Sequence, residues 1–98
     1  MPYLIETFDK PHASALRQAL RDNHLDFLED HKELLVACGA KLDDDGIAAS
    51  GSVYIVDVDT REQAEQFIAE DPYSKGHLSE RTVITRWRKA YLDGKSYL

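Results

Sequence analysis

The sequence predicts one α+β domain of ferredoxin-like architecture, in which the elements follow the order β-α-β-β-α-β. Four short β-prone stretches, two stretches with apolar residues at helical spacing and the order in which they alternate predict this fold. Because 98 residues lie near the common size of a domain, we expect a single core over residues 1–98. Two helices would then cover one face of a four-stranded antiparallel sheet.

The four β-prone stretches are expected to form the sheet. Each is rich in β-branched, aromatic or compact apolar residues, and turn residues separate it from the next element. The remaining residues 91–98 are expected to form a mobile or partner-docked tail. The predicted strands cover residues 3–8, 35–42, 51–58 and 81–87.

The two stretches with helical spacing differ in how clearly their ends are marked. The first covers residues 13–35, where apolar side chains recur every three or four residues, although Arg21-Asp22-Asn23 could break it and cap a second segment. The second covers residues 60–71. Thr60 and Gln63 have the spacing of a capping box at its start, and a proline forbids its continuation after residue 71.

Composition and charge exclude several classes of function. A formal net charge of −6 disfavours binding to phosphate backbones, and the basic cluster Arg86-Trp87-Arg88-Lys89 is better explained as a solvated strand end. No apolar run approaches the ~20 residues of a membrane span, and the N-terminus lacks the pattern of an export signal. We therefore expect a soluble, cytoplasmic protein. A single cysteine cannot form an internal disulfide, so Cys38 is expected to be a buried, reduced and inert thiol.

The third predicted strand has apolar side chains on both of its faces. Helices can cover only one face of the sheet, and a soluble monomer rarely leaves a large apolar face open. We therefore expect a homodimer that packs sheet against sheet. Either Tyr54 and Val56 or the alternate pair Val53 and Ile55 would lie in its interface.

Two polar residues lie on otherwise apolar helix stripes. His24 falls in the middle of the apolar arc of the first helix, and Asp71 continues the stripe of the second helix at its last turn. A carboxylate at that end meets the negative pole of the helix, so a partner is expected, and His24 is the natural one. Such a pair is either a proton-transfer dyad or a satisfied structural contact.

The other histidines carry less information. His31 is separated from His24 by two helical turns, about 10 Å, so a shared metal ion is not expected. His77 follows Asp71 closely enough to line the same pocket.

The combination of Arg21-Asp22-Asn23-His24-Leu25, Gly39 and Asp71-Pro72-Tyr73 resembles the YciI-like, or YCII-related, family. The resemblance covers nearly the whole chain. It implies a dimeric α+β barrel and a pocket that holds the histidine and the aspartate. Two residues, Asp22 and Ala40, stand where proline is frequent in the family.

The resemblance assigns catalytic roles to His24 and Asp71, a pocket wall and hydroxyl donor to Tyr73, and an anion-binding side chain to Arg21. It implies acid–base chemistry of the elimination, isomerisation or lyase type on a small ring compound, as in a dehydrochlorinase, without a cofactor or a metal ion. A non-catalytic ligand-binding or regulatory dimer and a dimerisation partner with a structural pair are the alternatives.

Overall fold

The computed structural model covers residues 1–98 and contains six strands and three α-helices. A 3₁₀ turn, Lys32–Leu34, joins the first helix to the second strand. The strands are β1 Tyr3–Asp9, β2 Leu35–Leu42, β3 Ala49–Val56, β4 Ser79–Arg86, β5 Tyr91–Leu92 and β6 Lys95–Ser96, and the helices are α1 Ser14–Asp30, α2 Arg61–Glu70 and α3 Pro72–Lys75.

The main sheet is antiparallel and has the strand order β2-β3-β1-β4. β1 lies in the middle and pairs with both β3 and β4, and α1 and α2 follow β1 and β3 as in the β-α-β-β-α-β order. The ferredoxin-like α+β fold predicted from the sequence is confirmed. No helix is both long and apolar enough to cross a membrane.

The first helix is one continuous element, and it is shorter than predicted. Its Arg21-Asp22-Asn23 segment is helical, so α1 is continuous from Ser14 to Asp30. It also ends five residues earlier than predicted, since Leu34 and Leu35 belong to the 3₁₀ turn and to β2. The uninterrupted helix keeps Arg17, Arg21 and His24 in register on one side.

The core lies between the helices and one face of the sheet. Tyr54 and Val56 of β3 are fully buried there, so they do not form the outer face. The alternate pair, Val53 and Ile55, lies on the opposite face and is partly exposed. Of the two interfaces predicted for a dimer, only the second is therefore free in one chain. The core cluster consists of Tyr3, Ile5, Phe27, Tyr54, Val56, Ala64, Phe67 and Ile68.

The start and end of α2 follow from local hydrogen bonding. The side chain of Thr60 accepts a hydrogen bond from the backbone N–H of Gln63, and the Gln63 side chain accepts one from the backbone N–H of Thr60, which completes the predicted capping box. Asp71 ends α2 with an extended backbone, because the residue before a proline disfavours the helical region. Pro72 then starts the separate one-turn helix α3.

The C-terminal residues, predicted as a mobile or partner-docked tail, form a small hairpin. β5 and β6 pair with each other through the two-residue turn Asp93-Gly94. Both turn residues have positive φ, 55° and 76°, as a type I′ hairpin turn requires.

Candidate functional site

A pocket of about 720 Å³ lies between α1 and the part of the sheet formed by β2 and β3. Arg17, Arg21 and His24 contribute one wall, because their spacing of four and three residues places them on one side of α1. The pocket therefore has a polar wall that faces a mostly apolar one. The large apolar side chains at its mouth are Leu25, Leu42 and Ile47, which are 42%, 52% and 82% exposed.

A buried hydrogen bond joins His24 to Asp71. Nδ1 of His24 lies 2.8 Å from Oδ1 and 3.0 Å from Oδ2 of Asp71, and the two residues are 6% and 0% exposed. The sequence prediction that both side chains point inward and lie within hydrogen-bond reach is confirmed. Because an ionised carboxylate only accepts hydrogen bonds, Nδ1 is the donor, and in the neutral ring the lone pair lies on Nε2. Nε2 makes no hydrogen bond within the chain, and the ring lines the pocket.

Asp71 also accepts hydrogen bonds from two further groups. The hydroxyl of Tyr54 donates to Oδ2 over 2.6 Å, and the backbone N–H of Tyr73 donates to Oδ1 over 2.9 Å. These distances are typical of charge-assisted bonds. Burial, followed by the charge of Asp71 and this hydrogen bond, raises the pKa of Tyr54 above its usual value. Tyr54 therefore stays protonated and remains a donor at neutral pH.

The position of Asp71 changes one part of the sequence argument. The pattern placed it at the C-terminal end of a helix, where the negative pole disfavours a carboxylate. The side chain instead caps the N-terminus of α3 by accepting the Tyr73 N–H, which is a favourable position for a carboxylate. The fold thus holds Asp71 in a site that stabilises its charge.

The imidazole of His24 is also held by an aromatic stack. The Tyr73 ring lies parallel to it, with a centroid separation of 3.8 Å and an interplanar angle of 10°. The guanidinium of Arg17 lies 4.7 Å from the centroid of the same Tyr73 ring. Burial raises the pKa of the Tyr73 phenol, although the charges of Arg17 and Arg21 oppose the shift. Tyr73 is therefore a neutral hydroxyl at physiological pH.

Arg17 is a residue of the pocket that the sequence analysis missed. Its guanidinium donates to Oδ2 of Asp9 over 2.8 Å and to Oγ of Ser52 over 3.0 Å, and both ion-pair side chains are largely buried. The signal that could have revealed it is its spacing from Arg21 and His24 along one helix face. Tyr54 was missed as a hydrogen-bond donor because its side of β3 could not be assigned from the sequence.

Of the remaining predicted site residues, some line the pocket and others do not. Arg21 lines the pocket with an exposed side chain, and Tyr73 lines it from α3. His77 is exposed and does not line the pocket, because the chain turns away after α3 with a φ of 60° at this residue. Nδ1 of His31 donates to the backbone carbonyl of Phe27 one helical turn earlier, over 2.8 Å. No group of three or more metal-ligating side chains comes together.

Cys38 differs from its predicted burial. It is exposed on the edge strand β2 and lines the pocket. Partial desolvation, with a smaller contribution from the charge of Asp71, raises the pKa of the thiol to about 11. The predicted low reactivity therefore has a different cause, since the group is accessible but remains a thiol at neutral pH.

Comparison with protein-family models identifies the family of the chain. The sequence model of the YCII-related domain matches residues 1–88. The chain belongs to the YCII-related family. None of the curated proteins compared with this YCII-related chain matches it.

Two solved structures resemble the YCII-related chain over most of its length. One is 5-chloro-2-hydroxyhydroquinone dehydrochlorinase (TftG) from Burkholderia phenoliruptrix AC1100 in complex with 2,5-dihydroxybenzoquinone. It is 26% identical with a TM-score of 0.80, and the match covers 90% of this chain and 94% of that one. The other, an antibiotic biosynthesis monooxygenase, is 15% identical with a TM-score of 0.51, over 90% of this chain and 99% of that one. The second likeness concerns the fold alone.

We predict that Asp71→Asn lowers the free energy of unfolding by about 1–3 kcal/mol, because the amide oxygen cannot replace both carboxylate oxygens as acceptors for three donors. Tyr54→Phe should have a smaller effect in the same direction, since it removes one donor. Denaturant unfolding measures both, and the exposed Asp26→Asn on α1 is the control, expected within about 0.5 kcal/mol of the wild type. Stability of Asp71→Asn equal to that of the control would contradict the three-donor geometry.

A second prediction concerns the pH dependence of Cys38 alkylation. Because its pKa is raised from 9.0 to about 11, the thiolate fraction below pH 9 should be roughly a hundredfold smaller than in an unstructured cysteine peptide. Iodoacetamide should therefore react about a hundredfold more slowly with the folded protein at pH 8, and the rate should rise about tenfold for each pH unit up to pH 11. A peptide and the urea-unfolded protein are the references. Equal rates in the folded and unfolded protein would show that the thiol is not perturbed.

Proposed function

We propose that the protein is a cofactor-independent enzyme in which His24 transfers protons to and from a small ring compound bound beside α1. Asp71 fixes the orientation of the His24 imidazole and stabilises the imidazolium that forms when His24 takes a proton. Nε2 is the atom that takes a proton from the substrate or returns it. The observation that carries the proposal is the pairing of Nδ1 with a buried carboxylate while the ring lines the pocket.

The surroundings of His24 and Asp71 favour a catalytic role for the pair over a purely structural one. A structural pair can be sealed inside the core, whereas His24 forms part of the wall of a pocket. The Tyr73 stack and the hydrogen bond to Asp71 fix the imidazole plane in advance, so no reorientation is needed during proton transfer.

The wall of the pocket favours a flat, amphipathic substrate. A volume of about 720 Å³ lies within the range of small-molecule sites and admits a substituted six-membered ring. The apolar side chains Leu25, Leu42 and Ile47 suit the faces of such a ring. Arg21 provides a cation for a phenolate, enolate or carboxylate oxygen, and the neutral Tyr73 hydroxyl provides a hydrogen-bond donor.

The similarity to a dehydrochlorinase suggests elimination as the reaction type. In such an elimination the base removes one proton from the ring compound and an anionic group such as chloride departs with its bonding electron pair. The product gains a double bond, and no external oxidant is required. A hydroxylated quinone, the kind of ligand seen in that relative, fits the polar and apolar walls described above.

We further propose that the protein is a homodimer that buries the outer face of the sheet. Val53, Ile55 and Val83 lie on this face, and Val83 is 38% exposed in one chain. Obligate interfaces of this kind bury upwards of ~2,000 Å² in total.

The catalytic proposal predicts that His24→Ala lowers product formation by about 10²- to 10⁴-fold on a substrate that the wild type converts. The screen would contain chlorinated and unchlorinated hydroxyquinols, simple phenols, lactones and hydroxyacids, with chromatographic detection of product and of released chloride. His31→Gln on the same side of the fold is the matched control, because its ring bonds to a backbone carbonyl and does not line the pocket. Its activity should equal that of the wild type.

Two outcomes would contradict the proposal. Wild-type protein that binds compounds of the screen without converting any would favour the alternative, a ligand-binding or regulatory module. Turnover that His24→Ala retains, in a variant that folds as the wild type does by circular dichroism, would place the chemistry elsewhere.

A further inference from the structure

The residues that follow the sheet form a separate arm. The last backbone hydrogen bond between the C-terminal part and the rest of the chain is donated by the Trp87 N–H to the carbonyl of Pro2. We define the C-terminal arm as residues 88–98. Its hydrogen bonds, including that from the Tyr97 N–H to the carbonyl of Ala90, remain within the arm. No hydrogen bond therefore joins the arm to the body.

A hairpin of this size is not expected to hold its shape alone. A two-stranded hairpin is marginally stable in water at best, and this one has only two paired positions. Its large side chains are also open to solvent. Tyr91 is 63% exposed, Tyr97 43% and Leu98 88%. The turn Asp93-Gly94 nevertheless specifies a hairpin. Within one chain the Tyr97 ring is covered only by the ammonium groups of Lys89 and Lys95, and most of Tyr91 is exposed.

The charge of the arm is opposite to that of the body. Residues 88–98 contain Arg88, Lys89 and Lys95 against the single acidic Asp93, a net charge of +2. Residues 1–87 contain nine basic and seventeen acidic side chains, a net charge of −8. The negatively charged body attracts a basic arm. The same body repels phosphate backbones and anionic lipid surfaces.

We propose that the C-terminal arm docks on the body of a second copy of this chain and closes the homodimer. The proposal rests on the dimer proposed above and adds the element that secures it. In the second copy the arm would meet an acidic body and the margin of the sheet face, whose inner strand β3 with Val53 and Ile55 packs in the proposed sheet interface. The arm begins just beyond β4, which is an edge strand of that sheet, so it starts at the border of this interface.

In this proposal the arm binds the second copy through both its aromatic and its basic side chains. Two variants of the full-length chain therefore test the docking. Tyr91→Ser with Tyr97→Ser removes apolar surface, and Lys89→Glu with Lys95→Glu reverses charge. Sedimentation equilibrium should show dimer dissociation constants raised at least tenfold in both. The charge-reversed variant should also lose the salt dependence of the wild type.

Three control variants distinguish a loss of arm docking from other causes of weaker dimerisation. Leu16→Ser removes an apolar side chain of similar exposure, 38%, from α1 and should leave the dissociation constant unchanged. Val53→Asp tests the sheet interface itself and should give monomers. His24→Ala should dimerise as the wild type does, so failure of the catalytic proposal leaves the docking proposal intact.

Hydrogen exchange of the arm provides a direct readout. Amides of residues 91–97 should be protected at protein concentrations at which the wild type is dimeric and should lose protection on dilution to monomers. Arm variants that dimerise as tightly as the wild type would overturn the proposal. A monomeric wild type at micromolar concentration would do the same, as would arm-dependent binding to nucleic acid or to anionic vesicles by a chain whose arm stays unprotected.

Discussion

The carboxylate of Asp71 accepts hydrogen bonds from three separate elements of the fold. The donors are the imidazole of His24 on α1, the hydroxyl of Tyr54 on β3 and the backbone N–H of Tyr73 on α3. A buried carboxylate without such partners would lose hydration worth several kcal/mol, and the three donors replace the water molecules that it gives up. The packing of the helices on the sheet beside the pocket therefore depends on one anion, and each donor is positioned by a different part of the chain.

This arrangement connects the architecture to the proposed chemistry. The same hydrogen bond that satisfies Asp71 determines which nitrogen of His24 carries the proton, so Nε2 keeps its lone pair in the neutral ring. Tyr73 contributes twice, because its N–H binds the carboxylate and its ring stacks on the imidazole. The guanidinium of Arg17 also lies near the Tyr73 ring and is hydrogen-bonded to Asp9 and Ser52. The site is therefore preorganised, which is the condition under which proton transfer contributes most to a rate.

Hydrophobic periodicity was enough to predict the fold and the His24–Asp71 pair. It failed for side chains whose positions depend on tertiary contacts. His24 was assigned inward because an apolar stripe on an α-helix specifies a direction for every residue on it. The two faces of β3 could not be distinguished, because Tyr54 and Ile55 are both large and β-prone, so the tyrosine donor was missed. Asp71 was placed correctly in the interior and at the C-terminal end of α2. Its additional position as the N-cap of α3 was missed, because a single turn is too short to leave a periodic signal. Similarly, the two-residue strands β5 and β6 lie below the length that a pattern can reveal.

The central claim is that Asp71 holds His24 as the tautomer with a proton on Nδ1 and a free lone pair on Nε2. The ¹⁵N chemical shifts of the neutral His24 ring, measured by NMR, test this assignment. The account predicts a protonated Nδ1 and an unprotonated Nε2 in the wild type, and a mixture of both tautomers in Asp71→Ala. A wild-type His24 that carries its proton on Nε2 would contradict this assignment, because Nε2 would then have no lone pair with which to accept a proton.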